Sequence, residues 1–367
     1  MPAHAWKPVE HASWMIGTQC HGNHSTGSVL AVTFNGRSGL NDRQFTFQRL
    51  GNIAGALGAR IALPRPCKTL VPSHNHGVLM SCDVLWSRYL DVVFLDGTDA
   101  LVDLHMPGLQ QQLDRQYWDK VLHSLDAAHT SQFIDRTQGT VARRYDLAIH
   151  ARHPFVWHVN DVDLEELAKL AESRNVSMRY KTRRLCSYVT QRPSVTVRTL
   201  AAAFASKHHL RTHHYVSMHI RRKDAAAVCD SNPRAAARYV RCSAMALANS
   251  SSFPSAMPRS LRVPLLIFTD ETNKTYLSAL TSALEAVASS LHPSLHPSLK
   301  LSPVVMAETW MAKVAANLGL PDDNYLRFAA GRMVKEAGLQ LLEMNRHHCG
   351  KCGLFSRPEF RSDFHPF

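Results

Sequence analysis

The run Val263-Pro264-Leu265-Leu266-Ile267-Phe268-Thr269-Asp270 constrains the fold most. It is an apolar stretch of strand length that stops on Thr-Asp, and behind it Tyr276, Leu280, Leu284 and Val287 recur at helical spacing. The same succession appears elsewhere. Tyr215-Val216-Ser217-Met218 reads as a short buried strand and is followed by the alanine-rich helix Arg234 to Ala248. Pro303 to Met306 reads as a further strand, and Asp323-Asn324-Tyr325 opens a helix with Leu326, Ala329, Met333, Ala337 and Leu341 on one face.

The N-terminal half repeats the theme. Val29 to Phe34 is a continuous apolar run, and Asn35 to Gly39 is a glycine-bearing turn. Asn41 with Gln44 has the form of a capping box, ahead of Phe47, Leu50, Ile53, Ala54 and Leu57 at helical spacing. Arg60 to Pro64 is the next strand. Alternating strands and helices in both halves predict an α/β protein of two domains facing a cleft.

The 367 residues suit two domains of moderate size. Residues 1–27 form a lead-in without periodicity, 28–205 an N-terminal domain, 214–345 a C-terminal domain and 346–367 a tail. The crossover is set at 205–213, because His208 to His214 breaks all periodicity. The middle is less legible: Tyr89 to Leu95 suits a strand or part of a helix, while Asp163 to Arg174 and Thr199 to Phe204 read as helical. Asn249 to Ser260 is a Ser/Pro-rich loop, and His292-Pro293-Ser294-Leu295 is duplicated at once in another.

The net charge of +13 attracts phosphates, nucleotides, nucleic acid or anionic surfaces. Its basic residues lie in short clusters and aromatics make up only 8% of the chain, which argues against a nucleic-acid partner. Eight cysteines and four N-x-[Ser/Thr] sequons, at Asn23, Asn175, Asn249 and Asn273, lean toward a secretory lumen. Against this, Met1 to Trp6 carries no apolar signal core. Either the protein is not secretory or its targeting segment lies outside this sequence. No window approaches a membrane span, so no stable membrane contact is expected.

Three stretches bear chemistry. His219-Ile220-Arg221-Arg222-Lys223-Asp224 places two guanidinium groups at a strand tip, where open α/β sheets bind ligands and where arginine grips phosphate. Thr269-Asp270-Glu271 places a carboxylate at the tip of the clearest strand, in reach of a nucleobase edge or ribose hydroxyl, although the same residues also serve as helix caps. Gly36 to Gln44 offers the N–H groups of a helix start to an anion or sugar. The lone C-x-x-C of Cys349 and Cys352 lacks a second ligand pair, so a disulfide or free thiols are favoured and no metal is expected.

In this order, the glycine turn and strand of Gly36 to Pro64, the H-x-R-R-x-D of His219 to Asp224, and Leu265 to Asp270 resemble the GDP-fucose O-fucosyltransferase family and the related fucosyltransferases with an H-x-R-R motif. Asp323-Asn324-Tyr325 resembles the start of the family's last motif region. The resemblance implies a GT-B architecture of two Rossmann-like domains, acceptor side first and nucleotide-sugar side second. It implies inverting, metal-independent transfer of fucose from GDP-fucose to a protein or glycan hydroxyl in the Golgi or ER lumen, with no cofactor beyond the donor. It assigns Arg221 to the GDP phosphates, and His219, Arg222, Asp224, Thr269 and Asp270 to the nucleotide end. Asn41 and Arg43 fall on the sugar and acceptor side, and Glu308 and Asp42 are candidate bases by position. The family's serine-rich final segment has no counterpart before Ser356, which leaves a catalytically silent nucleotide-sugar or glycan binder as the alternative.

Overall fold

The computed structural model describes residues 28–35, 59–75, 80–103, 130–135, 140–150, 189–222, 232–248, 262–290 and 300–344, with separate positions between 37 and 54. The expected lead-in 1–27, the helix Asp163 to Arg174, the loop Asn249 to Ser260, the duplicated His-Pro-Ser-Leu, the tail 346–367 and the candidates Asp42 and Asp224 all lie outside them. The chain divides into two compact units between Ser194 and Val195.

In the N-terminal unit β1 (Ser28–Asn35) is central. It pairs in parallel with β2 (Ala59–Leu63) and with β6 (Thr140–His150). β4 (Leu101–Asp103) extends the sheet in parallel beyond β2, and β5 (Thr130–Asp135) closes it antiparallel to β6. The order is β4-β2-β1-β6-β5. Val29, Leu30, Ala31 and Val32 are all buried, so consecutive side chains on both faces of β1 are covered, as in parallel sheets flanked on both sides. Between β1 and β2 the described positions from 40 to 54 are helical, with Phe47, Leu50 and Ala54 buried.

The ambiguous Tyr89 to Leu95 resolves as β3 (Leu90–Phe94), which pairs antiparallel with β7 (Val189–Pro193) in a separate two-stranded sheet. Cys67 and Cys82 form a disulfide across a sequence separation of 15, and Cys242 is also disulfide-bonded. Among the described residues no cysteine is free.

The C-terminal unit holds β8 (Val216–Ile220), β9 (Arg262–Thr269), β10 (Lys300–Met306) and β11 (Gln340–Met344), all parallel, in the order β10-β9-β8-β11. Helices α1 (Val195–Lys207), α2 (Pro233–Ala248), α3 (Lys274–Ser290), α4 (Ala307–Asn317) and α5 (Asn324–Glu336) accompany them. On one face Met218, Ile220, Leu265 and Ile267 pack with Tyr239 and Val240 of α2 and Leu280 and Leu284 of α3. Phe268 is out of phase with that set, so it points to the other face. There it meets α5, where a side chain on Gly331 would come within 3.2 Å of its ring. Helices on both faces of a parallel sheet make this a doubly wound α/β arrangement.

Two expectations change. Helix α1 packs against α4 and α5, so it belongs with the C-terminal unit and the division falls before the expected 205–213 crossover. Leu341 is not on the face of α5. That helix ends at Glu336, Gly338 sits against the Tyr215 backbone, and Leu339 N–H donates to the Tyr215 carbonyl at 2.7 Å to start β11. The helical spacing ran across a glycine that turns the chain. Among the described residues no helix is long and apolar enough to cross a membrane.

Candidate functional site

The order β10-β9-β8-β11 contains one reversal. The chain steps from β8 to β9 to β10 in one direction, then returns to lay β11 on the other side of β8. At such a reversal the helices leaving adjacent strands diverge to opposite faces and open a crevice at the strands' carboxyl ends. Arg221 and Arg222 follow β8 directly at that place. Ile220 is registered with Thr269 on one side and Met344 on the other, so Asp270 and Glu271 leave β9 beside the arginines.

The tip residues form a connected polar network. The Arg222 backbone N–H donates to Asp270 Oδ1 at 2.7 Å, and its guanidinium Nε donates to Glu271 Oε2 at 2.9 Å. The same guanidinium lies 4.0 Å from the centroid of the Tyr276 ring on α3. The other Glu271 oxygen accepts from the backbone N–H groups of Thr272 and Asn273 at 2.8 and 2.9 Å. These Asn273 and Thr272 contacts, with the Arg222 guanidinium, hold the Glu271 carboxyl below the usual carboxylate range. Burial pushes the Tyr276 hydroxyl up, so it stays protonated.

Arg221 is exposed, His219 half-buried and Asp270 half-buried. Thr269 is buried, and its Oγ1 accepts from the Glu271 backbone N–H, so it shapes the turn. Asn273 Oδ1 accepts from the N–H groups of Thr275 and Tyr276, which makes the asparagine of this sequon the cap of α3.

Two further groups reach this edge. Glu308 opens α4 right after β10, on the neighbouring strand. Its residue surface is exposed, yet the protein around it strips enough water to push its carboxyl up to about 8. Backbone N–H donors of Thr269 and Glu308 and the Lys335 charge oppose that rise, and the Asp270 charge adds to it. Lys335 is buried on α5 and runs along Phe268, its Nζ 5.5 Å from the ring centroid. A carboxyl that exchanges its proton near neutral pH is suited to proton transfer or to a hydrogen bond with a neutral donor. Sequence spacing gave no signal for Lys335, because α5 presents it through a long side chain and not through a motif. Lys335 lies off the stripe of Leu326, Ala329, Met333 and Ala337, so only its burial in the structure singles it out.

In the N-terminal unit the candidates lie at the first turn of the 40–54 helix. Arg43 N–H donates to the Gly39 carbonyl, and Leu40 and Asn41 are already helical. Asn41 is therefore inside the first turn and is not the expected cap. Arg43 is only 1% exposed, and its guanidinium donates to the Thr69 carbonyl at 3.3 Å. Nearby, Arg65 Nε and Nη2 both reach Asp103 Oδ2, at 3.0 and 2.8 Å, and Nη1 donates to the Cys82 carbonyl. Arg65 so ties the disulfide-closed loop to the end of β4.

The structure thus brings His219, Arg221, Arg222, Thr269 and Asp270 to one edge of one sheet and adds Glu308 to them, whereas Asn41 and Arg43 belong to the other unit. Among the described residues no group of His, Cys, Asp and Glu has the arrangement of a metal site. No family model, no curated protein and no solved structure matches the chain.

Proposed function

We propose that the chain is a glycosyltransferase of GT-B type that moves fucose from GDP-fucose to a hydroxyl of a protein or glycan acceptor, with inversion and without a metal. The observation that carries this reading is the placement of Arg221, exposed after β8 where the strand order reverses and beside Asp270. The H-x-R-R resemblance of His219 to Arg222 supplies the donor class. In the reaction the acceptor oxygen bonds to the anomeric carbon, the bond from that carbon to the phosphate oxygen breaks, and the leaving diphosphate gains charge. A guanidinium held at that oxygen stabilises the developing charge. The acceptor proton passes to a base, for which Glu308 at the same sheet edge is the candidate. The disulfide Cys67–Cys82 supports an oxidising compartment such as the Golgi or ER lumen.

Calorimetric titration with GDP-fucose, GDP and GDP-mannose tests the reading beside an Arg221→Ala variant. GDP binds the wild type, and the variant loses about 10- to 100-fold in affinity, the span expected for charged hydrogen bonds. Equal binding by both proteins removes Arg221 from the site. The absence of a serine cluster in the region from Gly338 to Cys352 favours a second reading, a binder without turnover. Donor binding without release of GDP in the presence of acceptors selects it.

A further inference from the structure

Resting on the phosphate-site reading above, we infer that Arg222 is a positioning residue that locks the tips of β8 and β9, so that Arg221 alone presents a guanidinium to the anion.

Ladder pairing between β8 and β9 ends at Ile220 and Thr269. Beyond it a backbone N–H with no strand partner would leave the tip loose. Here the Arg222 N–H donates to Asp270 Oδ1 at 2.7 Å, a side-chain replacement for the next ladder bond. The Arg222 side chain continues the join. Its Nε binds Glu271 Oε2 at 2.9 Å, with the two side chains only 26% and 18% exposed, and its flat face stacks 4.0 Å from the Tyr276 ring. Glu271 in turn holds the Thr272 and Asn273 N–H groups that lead into α3. One arginine thereby fastens β8, β9 and α3 together.

These commitments also argue against a direct phosphate role. A diphosphate that recruited Arg222 would displace Glu271 from Nε or approach a carboxylate of its own sign. Arg221 is the next residue and lies exposed. Fixing the backbone at residue 222 fixes the direction from which Arg221 departs, and a misplacement of about 1 Å at a binding group is enough to cost about two orders of magnitude.

The test is GDP affinity as a function of salt for the wild type, Arg221→Ala, Arg222→Lys, Glu271→Gln and the double variant Arg222→Lys/Glu271→Gln. Arg222→Lys keeps the charge but loses the planar stack and the Nε contact, and Glu271→Gln removes a negative charge near the anion. Each is expected to weaken GDP binding about tenfold through misplacement of Arg221. The double variant is expected to be no worse than either single one, because both break the same lock. The salt slope falls for Arg221→Ala and holds for the other three variants.

A direct role for Arg222 predicts the reverse for Glu271→Gln: the freed arginine binds GDP as tightly as the wild type or more tightly. That result, or wild-type affinity in Arg222→Lys, overturns the inference. Tyr276→Leu removes the stack alone and gives a milder weakening of about threefold, which serves if Glu271→Gln folds poorly. A wild type that binds no GDP sinks the phosphate-site reading itself. The Arg222–Glu271 coupling, read from urea midpoints of the wild type, Arg222→Lys, Glu271→Gln and the double variant, then decides the lock: zero coupling disproves it.

Discussion

Arg43 and Arg221 both lie shortly after a parallel strand, and the structure treats them in opposite ways. Arg43 is 1% exposed and holds the Thr69 carbonyl, while Arg221 is exposed at the strand-order reversal. The difference lies in what the chain does next. After β1 a helix starts by Leu40, and Arg43 falls four residues before Phe47 on the stripe that continues through Leu50 and Ala54. Its stem is drawn into the core with them. After β8 the residues stay on the sheet edge, tied to Asp270 and Glu271. A cation after a strand therefore stays at the surface only where the following segment leaves it at the edge.

The sharpest way to break this contrast is to truncate both arginines. Arg43→Ala is expected to cost about 4 kcal/mol of stability, from the lost packing of a buried side chain; the Thr69 carbonyl keeps its bond from the Ser38 N–H. Arg221→Ala is expected to stay within about 0.5 kcal/mol, as exposed positions do. Urea unfolding measures both, and similar losses in the two variants would erase the distinction. Next in size is the disulfide that braces the N-terminal unit: Cys67→Ser with Cys82→Ser is expected to cost about 3 kcal/mol for a closed loop of this length. At the described tips of β8 and β9 polar contacts do the holding. GDP affinity unchanged by the double serine variant, at a temperature where it stays folded, fits that separation; a large loss breaks it.

Smaller still is Asp323→Ala. Asp323 is buried, and its Oδ1 accepts from the N–H groups of Tyr325 and Leu326, so its loss is expected to cost about 1 kcal/mol. That helix start was readable from Asp323-Asn324-Tyr325 alone, as were β1, β2, β8, β9 and β10, because an uninterrupted apolar run of strand length has few other uses. The misreadings share a cause. Leu341 keeps the helical spacing past Gly338 yet lies in β11, because spacing cannot register the Tyr215 carbonyl that accepts from the Leu339 N–H. Asn41 and Gln44 stand three apart as in a capping box, but the turn closes earlier, on Gly39. The site followed the same division: Arg221 and Asp270 were visible as strand tips, whereas the commitment of Arg222 to Glu271 and Tyr276 depends on contacts over 49 and 54 positions that no local pattern records.

The finest test of the C-terminal edge is the pH dependence of Glu308. Its carboxyl holds a proton up to about 8 in the folded chain, against an ordinary value of 4.5. Between those values the native state binds more protons than the unfolded state, so this group's contribution to stability falls as pH rises. Below 4.5 both states are protonated and the group is neutral to folding; above 8 both are ionised and its full cost is present. Glu271 has the opposite sign, since its carboxyl is held low and its contribution is lost only as pH falls through that lowered value. Glu308→Gln removes the first effect alone. Its urea midpoint should match the wild type near pH 4.5 and exceed it by a growing margin up to pH 8.5, by less than about 1 kcal/mol because water reaches the side chain. A margin that is flat with pH would place Glu308 in open solvent, away from Asp270 and Lys335, and would return it to the surface of α4.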